Sequence, residues 1–233
     1  MLDVTALNEL YLMSIDLDAS VRENKTVVAD KEDLLSSEAW GSFFVKGNVL
    51  SLCMFGPDNY SFKLYTRGDH TVLRTDQIFG DEPYLTEFYP QFGSVRKMKP
   101  DQSKLCMMMR SFDEINILDL DGADHLSISP PMKKKEDAAI INEMLSSQNL
   151  TQYTFYCGGC VTDDAIYGLY YGCDEQEEDK GFLPSIRVFS WDGEFKAVYR
   201  LSEPLASIAL AEDGHTLYGL TEEEVLCRYD LSQ

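Results

Sequence analysis

The sequence predicts an all-β fold made of four-stranded antiparallel sheets that repeat along the chain. The first observation is a sequence pattern that occurs four times. In each copy an apolar segment is followed by a polar corner and then by a segment of alternating apolar and polar residues, which ends in a turn. The second is the turn chemistry, because Asp-Gly pairs flanked by alternating apolar residues favour hairpins. Sheets repeated at a period near that of a propeller blade bury faces that one hairpin cannot bury. We therefore predict a β-propeller, with four blades visible and the total left open at five or six.

The four copies give the strands of this prediction in chain order. They are Val49–Phe55 with Tyr60–Gly68, Leu105–Met109 with Ile115–Gly122, Ile166–Gly172 with Ile186–Gly193, and Leu217–Leu220 with Val225–Leu231. The first segment of each copy is nearly continuously apolar, as expected of a strand covered on both faces. The second segment alternates, as expected toward the outside of a blade. Further strands are predicted at Gly93–Lys99, Tyr153–Cys157, Phe195–Leu201 and Leu205–Leu210.

Two insertions explain why the copies are spaced more widely than the ~40–50 residues of common blade repeats. Pro130–Leu145 contains apolar residues at helical spacing, which predicts a short helix near 134–145. Asp174–Gly181 is an acidic run, and such runs are usually solvated loops.

The whole chain, residues 1–233, is predicted to form a single propeller domain. Its first 35 residues fit the repeat least well, although Leu7–Asp16 and Asn24–Ala29 have the composition of strands. The last copy has only three predicted strands. We hypothesise that the segment 1–35 supplies the missing outer strand and so removes a free sheet edge.

Acidic residues outnumber basic residues by 40 to 20, which gives a formal net charge of −20 at pH 7. Proteins bind nucleic acids by neutralising phosphates with Lys and Arg, so this excess argues against a nucleic-acid partner. It also opposes docking on anionic lipid surfaces. Cationic partners are compatible with it.

No stretch approaches the ~20 apolar residues of a transmembrane helix, so we expect no membrane insertion. The first residues, Met1–Leu7, lack the basic start and apolar run of a secretory signal. As written, the sequence therefore predicts a cytoplasmic chain.

Three of the six cysteines, Cys53, Cys106 and Cys227, lie in apolar strand-like runs, where a thiol behaves as a small buried hydrophobe. A domain of this size does not need disulfides to fold, so the thiols are expected to be reduced.

Cys157 and Cys160 have the Cys-x-x-Cys spacing of metal and redox sites. A structural zinc needs four ligands, but no second such pair exists and the three histidines lie far apart. A redox pair opens a helix in an α/β context, whereas this pair lies in a predicted β region. We interpret it as a strand end with a glycine turn, and keep a metal or redox centre as the alternative.

Acidic residues near the blade-start turns are the candidate ligands of a calcium ion at the mouth of a central channel. They are Glu38, Asp101, Asp163, Asp164 and Asp213. Carboxylates that converge from different blades are the ligands calcium prefers. Turn propensity alone also explains Asp163 and Asp213.

The later blades resemble those of the bacterial TolB-like six-bladed β-propeller family. The stretch RKMKPDQSKLCMMMRSFDEINILDLDG is similar to a family blade opening, in which a Pro-Asp turn precedes an apolar strand. TDDAIYGLYYG, PSIRVFSWDGEF and LASIALAEDGHTLYGLTEE are similar to its final blades. The resemblance runs from about Ser36 to Gln233. It implies a propeller, usually without an established activity, and a periplasmic or cell-envelope location.

No catalytic or cofactor motif stands out, since the chain has neither a G-x-S-x-G elbow nor a phosphate-binding glycine loop. The apolar run Met107–Met109 and the residues Trp40 and Trp191 are expected to be core packing. We therefore expect a non-enzymatic module that binds a peptide, a glycan or a protein. A calcium-assisted hydrolase or lactonase is the alternative, and oligomerisation through an open edge is a further hypothesis.

Overall fold

The computed structural model describes residues 2–6, 11–34, 39–53, 61–77, 93–110, 113–122, 124–128, 153–174 and 183–232. Strands in antiparallel sheets dominate these ranges, which contain one helix, so the predicted all-β, propeller-like arrangement is confirmed. The chain divides into two compact units, Met1–Glu87 and Phe88–Gln233. No helix in the described ranges is long and apolar enough to cross a membrane. The prediction of a single propeller domain stays a prediction.

The first unit contains two sheets and the helix. Sheet A has the order β1-β2-β3 and sheet B the order β4-β5-β6-β7. Their bounds are β1 (Leu2–Ala6), β2 (Tyr11–Ile15), α1 (Leu17–Glu23), β3 (Val28–Asp33), β4 (Ala39–Val45), β5 (Asn48–Cys53), β6 (Ser61–Thr66) and β7 (Val72–Gln77). Leu12, Leu34, Val49 and Tyr65 form a buried cluster that joins the two sheets.

The N-terminal segment differs from its prediction in one element. Strand β2 lies inside the predicted strand Leu7–Asp16, but the helix α1 follows it directly. Asp16 caps this helix, because its carboxylate accepts a hydrogen bond from the Ala19 N–H at 2.8 Å. Asn24 ends the helix in the left-handed conformation, so the predicted strand Asn24–Ala29 starts only at Val28. The closure hypothesis for residues 1–35 stays a prediction.

The second unit contains three sheets, each a meander of strands that follow one another in the chain. Sheet C has the order β8-β9-β10-β11, sheet D β12-β13-β14-β15 and sheet E β16-β17-β18. Their bounds are β8 (Ser94–Met98), β9 (Lys104–Met109), β10 (Ile115–Asp119), β11 (His125–Ile128), β12 (Tyr153–Val161), β13 (Ala165–Asp174), β14 (Ser185–Ser190), β15 (Phe195–Arg200), β16 (Ser207–Leu210), β17 (Thr216–Leu220) and β18 (Leu226–Asp230).

Sheets C, D and E lie face to face, as neighbouring blades do. One buried cluster joins sheets C and D and includes Met108, Ile166 and Trp191. A second cluster joins sheets D and E and includes Leu169 and Leu217. The first strand of each sheet is the inner one, and β12 lies between β8 and β16.

The repeated sequence pattern corresponds to the second and third strands of sheets B, C, D and E. The apolar second strand is buried on both faces, as residues Leu105–Met109 illustrate. The predicted helix near 134–145 and the loop residues 175–181 lie outside the described residues.

Candidate functional site

The outer edge of β18 is the main candidate for an interaction site. The Thr221 N–H donates to the Val225 carbonyl at 3.0 Å, and the Leu231 N–H donates to the His215 carbonyl at 2.8 Å. In an antiparallel pair, every second residue of a strand is hydrogen-bonded to the facing strand. These two bonds therefore determine which residues of β18 are hydrogen-bonded to β17. The N–H and C=O groups of Leu226, Arg228 and Asp230 therefore point away from β17. Those of Cys227 and Tyr229 point toward it.

Sheet E has three strands within the described residues, whereas sheets B, C and D each have four. In sheet D the position beyond the third strand is taken by β15, which pairs with β14 along its length. The corresponding position next to β18 holds no strand of the described part of the chain. An edge of this kind is a template for another extended segment.

One face of sheet E is exposed and carries apolar side chains beside this edge. The exposed fractions are 38% for Tyr218, 39% for Leu220 and 68% for Leu226. The register places Leu220 opposite Leu226 and Tyr218 opposite Arg228, so these side chains lie on the same face. The three exposed glutamates Glu222, Glu223 and Glu224 form the corner where β17 leads into β18.

A polar cluster joins sheets C and D inside the second unit. Asp113 is 5% exposed and lies between β9 and β10. Its carboxylate accepts hydrogen bonds from the Tyr170 hydroxyl at 2.9 Å and from Nη1 of Arg187 at 3.0 Å. The Arg187 guanidinium carbon lies 3.2 Å from the centroid of the Tyr170 ring. Tyr156 packs edge-on against Tyr170, with 5.2 Å between ring centroids.

This cluster is built for holding the sheets together rather than for proton transfer. Burial, and after it the charge of Asp113, raise the pKa of Tyr156 and of Tyr170 well above the ordinary value. Both hydroxyls therefore stay protonated, and that of Tyr170 donates its hydrogen bond to Asp113. Asp113 and Arg187 neutralise each other in a partly buried place, where an unpaired charge would be costly.

A second ionic cluster lies in the first unit, where Arg67 follows β6. Its guanidinium donates to both carboxylate oxygens of Asp30, at 2.6 and 2.7 Å, and to Glu32 at 3.1 Å. The Gly68 N–H also donates to Glu32, at 2.6 Å. The guanidinium lies over the Phe44 ring, 4.8 Å from its centroid. These contacts fix the β6–β7 turn against β3.

Cys157 and Cys160 lie within the strand β12 instead of at its end, next to a bulge. Neither cysteine forms a disulfide bond, and both pack at the edge of the cluster between sheets D and E. Burial raises the pKa of Cys160 to about 11, so its thiol is not a nucleophile at neutral pH. Among the described residues, no three His, Cys, Asp or Glu side chains are grouped to hold a metal ion. Cys106 is also free and buried, as expected.

Of the two glycines between these cysteines, Gly159 is required by packing. A Cβ on Gly159 would lie 2.8 Å from the carbonyl oxygen of Tyr167 and would collide with the side chain of Met108. Met108 of sheet C therefore reaches the backbone of sheet D at this glycine. A Cβ on Gly158 would meet only ordinary contacts, the nearest at 3.4 Å to Leu169.

Two of the proposed calcium ligands use their oxygens to hold their own turns. Asp101 accepts hydrogen bonds from Ser103, at 2.8 Å from its N–H and 2.5 Å from its hydroxyl, and forms an ion pair with Lys99 at 3.0 Å. Asp213 accepts from the N–H groups of His215 and Thr216, both at 2.8 Å. These hydrogen bonds lower the pKa of each aspartate to about 2.

The other predicted residues are placed as follows. Asp163 and Asp164 are exposed in the β12–β13 turn, whereas Glu38 lies outside the described residues. The calcium site stays a prediction. Met107–Met109 are all buried, and Trp191 is buried with its ring N–H donating to the Thr162 carbonyl at 3.0 Å. Of Trp40 only the backbone, in β4, is described.

Comparisons with solved structures agree on the fold. The chain is similar to hydrazine synthase from Kuenenia stuttgartiensis, with 11% identity and a TM-score of 0.51 over 84% of this chain. It is also similar to a functionally unknown protein from Desulfotomaculum acetoxidans DSM 771, with 12% identity and a TM-score of 0.52 over 98% of this chain. The chain spans 46% and 65% of these two proteins, respectively. At such identities the likeness shows the fold alone.

A scan against models of protein families found no match, and a search of curated proteins found none either. The structural neighbours support a β-propeller-like fold.

Proposed function

We propose that this protein is a non-enzymatic interaction module that binds an extended segment of a partner protein along the outer edge of β18. The observation that carries the proposal is the set of outward N–H and C=O groups at Leu226, Arg228 and Asp230, in a sheet that has one strand fewer than sheet D within the described residues. Strand addition of this kind uses main-chain hydrogen bonds for affinity and alternate side chains for specificity.

The surroundings of the edge define the chemistry of the partner segment. Apolar side chains at every second position of the partner segment would lie on the same face as Leu220 and Leu226 and extend their exposed apolar row across the sheet. In antiparallel addition, the C-terminal end of the segment lies beside Glu222–Glu224. Basic residues there would complement these glutamates and the net charge of −20.

Kinship with the TolB-like propellers is the finer part of the proposal. Its support is the similarity of sequence stretches in the later blades, such as INILDLDG and SIRVFSWDGEF, to those of that family. In this chain these stretches form β10 and β14 with their turns. The propeller-like sheets are consistent with it. A cell-envelope location would follow from that kinship.

The experiment compares Arg228→Pro with the matched control Arg228→Ala. Proline removes an outward N–H without removing a bond to β17, and alanine removes only the side chain. The probe is a fluorescent peptide of alternating valine and threonine that ends in two lysines. We expect about tenfold weaker binding to the proline variant than to the alanine variant, because one main-chain bond and its geometry are lost. A peptide ending in two glutamates should bind more weakly to the wild type.

Amide hydrogen exchange on the free protein tests the edge itself. The N–H groups of Leu226, Arg228 and Asp230 should exchange fast and become protected when the peptide is added. Slow exchange in the free protein, or equal affinity of the two variants, would disprove the proposal. Protection that grows with protein concentration would instead assign the edge to a second copy of this chain.

A further inference from the structure

Four arginines are partly buried within the described residues, and three of them are paired with a carboxylate. Arg67 binds Asp30 and Glu32, while the other two pairs are Arg74 with Asp76 at 2.6 Å and Arg187 with Asp113 at 3.0 Å. The exposed arginines Arg22, Arg110, Arg200 and Arg228 need no such partner because water solvates them.

Arg96 is the fourth partly buried arginine, and no carboxylate among the described residues pairs with it. Its Nη1 is buried and has no hydrogen-bond partner in the described part of the chain. Arginine cannot lose its proton in a protein, so the positive charge remains. The chain has 40 acidic residues, yet none of those that the structure describes pairs with this cation. A buried, unpaired charge is strongly unfavourable unless something pairs with it.

Ser94 also has a buried polar atom without a hydrogen-bond partner in the described residues, its hydroxyl oxygen. Ser94 and Arg96 are two residues apart on β8, so their side chains emerge on the same face of the strand, with Cα atoms about 6.6 Å apart. Buried polar groups in folded proteins are nearly always satisfied. Two unsatisfied donors side by side on one strand indicate an absent acceptor.

We propose that Arg96 and Ser94 form a binding site for the carboxylate group of a small ligand with an apolar body. The guanidinium fork and one hydroxyl match a planar, singly charged acceptor. A phosphate dianion would leave one negative charge uncompensated in a chain that already has a large negative charge.

The residues around the pair supply the apolar part of the site. The register places Met107 opposite Arg96 and Met109 opposite Ser94, on the same face, and Met98 lies two residues further along β8. Methionine side chains are flexible and adapt to apolar ligands of different shape. Each of the five residues of β8 is partly exposed, but Nη1 of Arg96, the Ser94 hydroxyl, Met107 and Met109 are buried, so a ligand must displace neighbouring side chains to reach the pair. This inference does not depend on the edge of β18.

The test uses the thermal stability of Arg96→Met, with Arg187→Met and Arg200→Met as controls. In a chloride buffer, Arg96→Met should raise the Tm because it removes an uncompensated charge. Arg187→Met should lower the Tm because it removes the cation that neutralises the buried Asp113, and Arg200→Met should have little effect because that side chain is exposed.

Ligands are then added at constant ionic strength. Sodium butyrate and N-acetylleucine should raise the Tm of the wild type and of Arg200→Met, and should leave Arg96→Met unchanged. Ser94→Ala should weaken their binding about fivefold through the loss of one hydrogen bond. Tighter binding of N-acetylleucine would identify a peptide C-terminus as the source of the carboxylate, and tighter binding of butyrate a free acid.

Three results would overturn the proposal. The first is a lower Tm for Arg96→Met in chloride, which would mean that Arg96 has a structural partner. The second is equal stabilisation by N-acetylleucinamide, which has no carboxylate. The third is tighter binding of inorganic phosphate than of either carboxylate.

Discussion

Arg67 links the stability of the first unit to pH because it lowers the pKa of the two carboxylates that it binds, Asp30 and Glu32. Its hydrogen bonds are the largest cause that lowers the pKa of Asp30. For Glu32, burial opposes the shift, but the hydrogen bonds from Gly68 and Arg67 outweigh it and lower the pKa. Both carboxylates therefore titrate at lower pH in the folded state than in the unfolded chain. Their stabilising contribution is present above the unfolded pKa values of about 4 and is lost as the pH falls through the folded values.

The substitution Arg67→Met should raise the pKa of Asp30 and of Glu32 toward their ordinary values. The Tm of the wild type should then fall more steeply between pH 5 and pH 3 than that of the variant. Carbon-13 NMR titration of the two carboxyl groups measures the pKa values directly, and differential scanning calorimetry follows the Tm. Identical titration curves in both proteins would show that Arg67 does not bind these groups in solution.

Single charged residues were the part of the molecule that sequence reasoning missed. Asp113 and Arg187 are 74 residues apart in the chain, and nothing local links them. Arg96 lies in the short strand β8 and resembles any solvated arginine in the sequence. The only available signal was a cation within a segment predicted to be a strand. Pairing between sheets is decided by tertiary packing, which a single sequence does not encode locally.

At the scale of elements, the sequence predicted strands well because each copy has its own turn and its own apolar period. The copies became the second and third strands of four sheets. The helix α1 was missed because it is short and lies between two strands, where its cap Asp16 looked like the end of a strand. Which N–H and C=O groups of β18 point outward depends on which residue pairs are hydrogen-bonded to β17, and composition does not reveal this.

The strand β12 offers a matched pair of glycine substitutions. Gly159→Ala should lower the free energy of unfolding by about 1–3 kcal/mol, because the added methyl group meets the fixed carbonyl of Tyr167 and the side chain of Met108. Gly158→Ala should have a smaller effect, since its neighbours lie at ordinary contact distances. Urea unfolding followed by circular dichroism measures both. Equal losses would contradict the packing reason given for this motif.

At the scale of the whole molecule, the net charge of −20 makes the folded chain repel itself. Raising sodium chloride from 10 to 200 mM screens this repulsion, since the Debye length falls below about 10 Å. We expect the Tm to rise by about 2–4 °C, which corresponds to about 1 kcal/mol for a chain of this size. Potassium chloride should have the same effect. A fall in the Tm would mean that attractive ion pairs outweigh the repulsion.

The same measurement tests the calcium alternative. A calcium ion held by converging carboxylates would add a saturable rise in Tm beyond that of sodium chloride at equal ionic strength. We expect no such rise, because Asp101 and Asp213 already use their oxygens within their own turns. A saturable rise that is absent from the double variant Asp163→Asn, Asp164→Asn would reinstate a calcium site at the β12–β13 turn.

The bond between Asp113 and Arg187 has a consequence for the lifetime of the folded state. Each sheet of the second unit pairs strands that are neighbours in sequence, so a sheet can form before it meets the next one. The cluster of Asp113, Tyr170 and Arg187 forms only once sheets C and D have docked. Contacts that appear after the rate-limiting step slow unfolding and leave the folding rate almost unchanged. If the sheets dock after the rate-limiting step, this cluster governs how long the two docked sheets stay together rather than how fast they form.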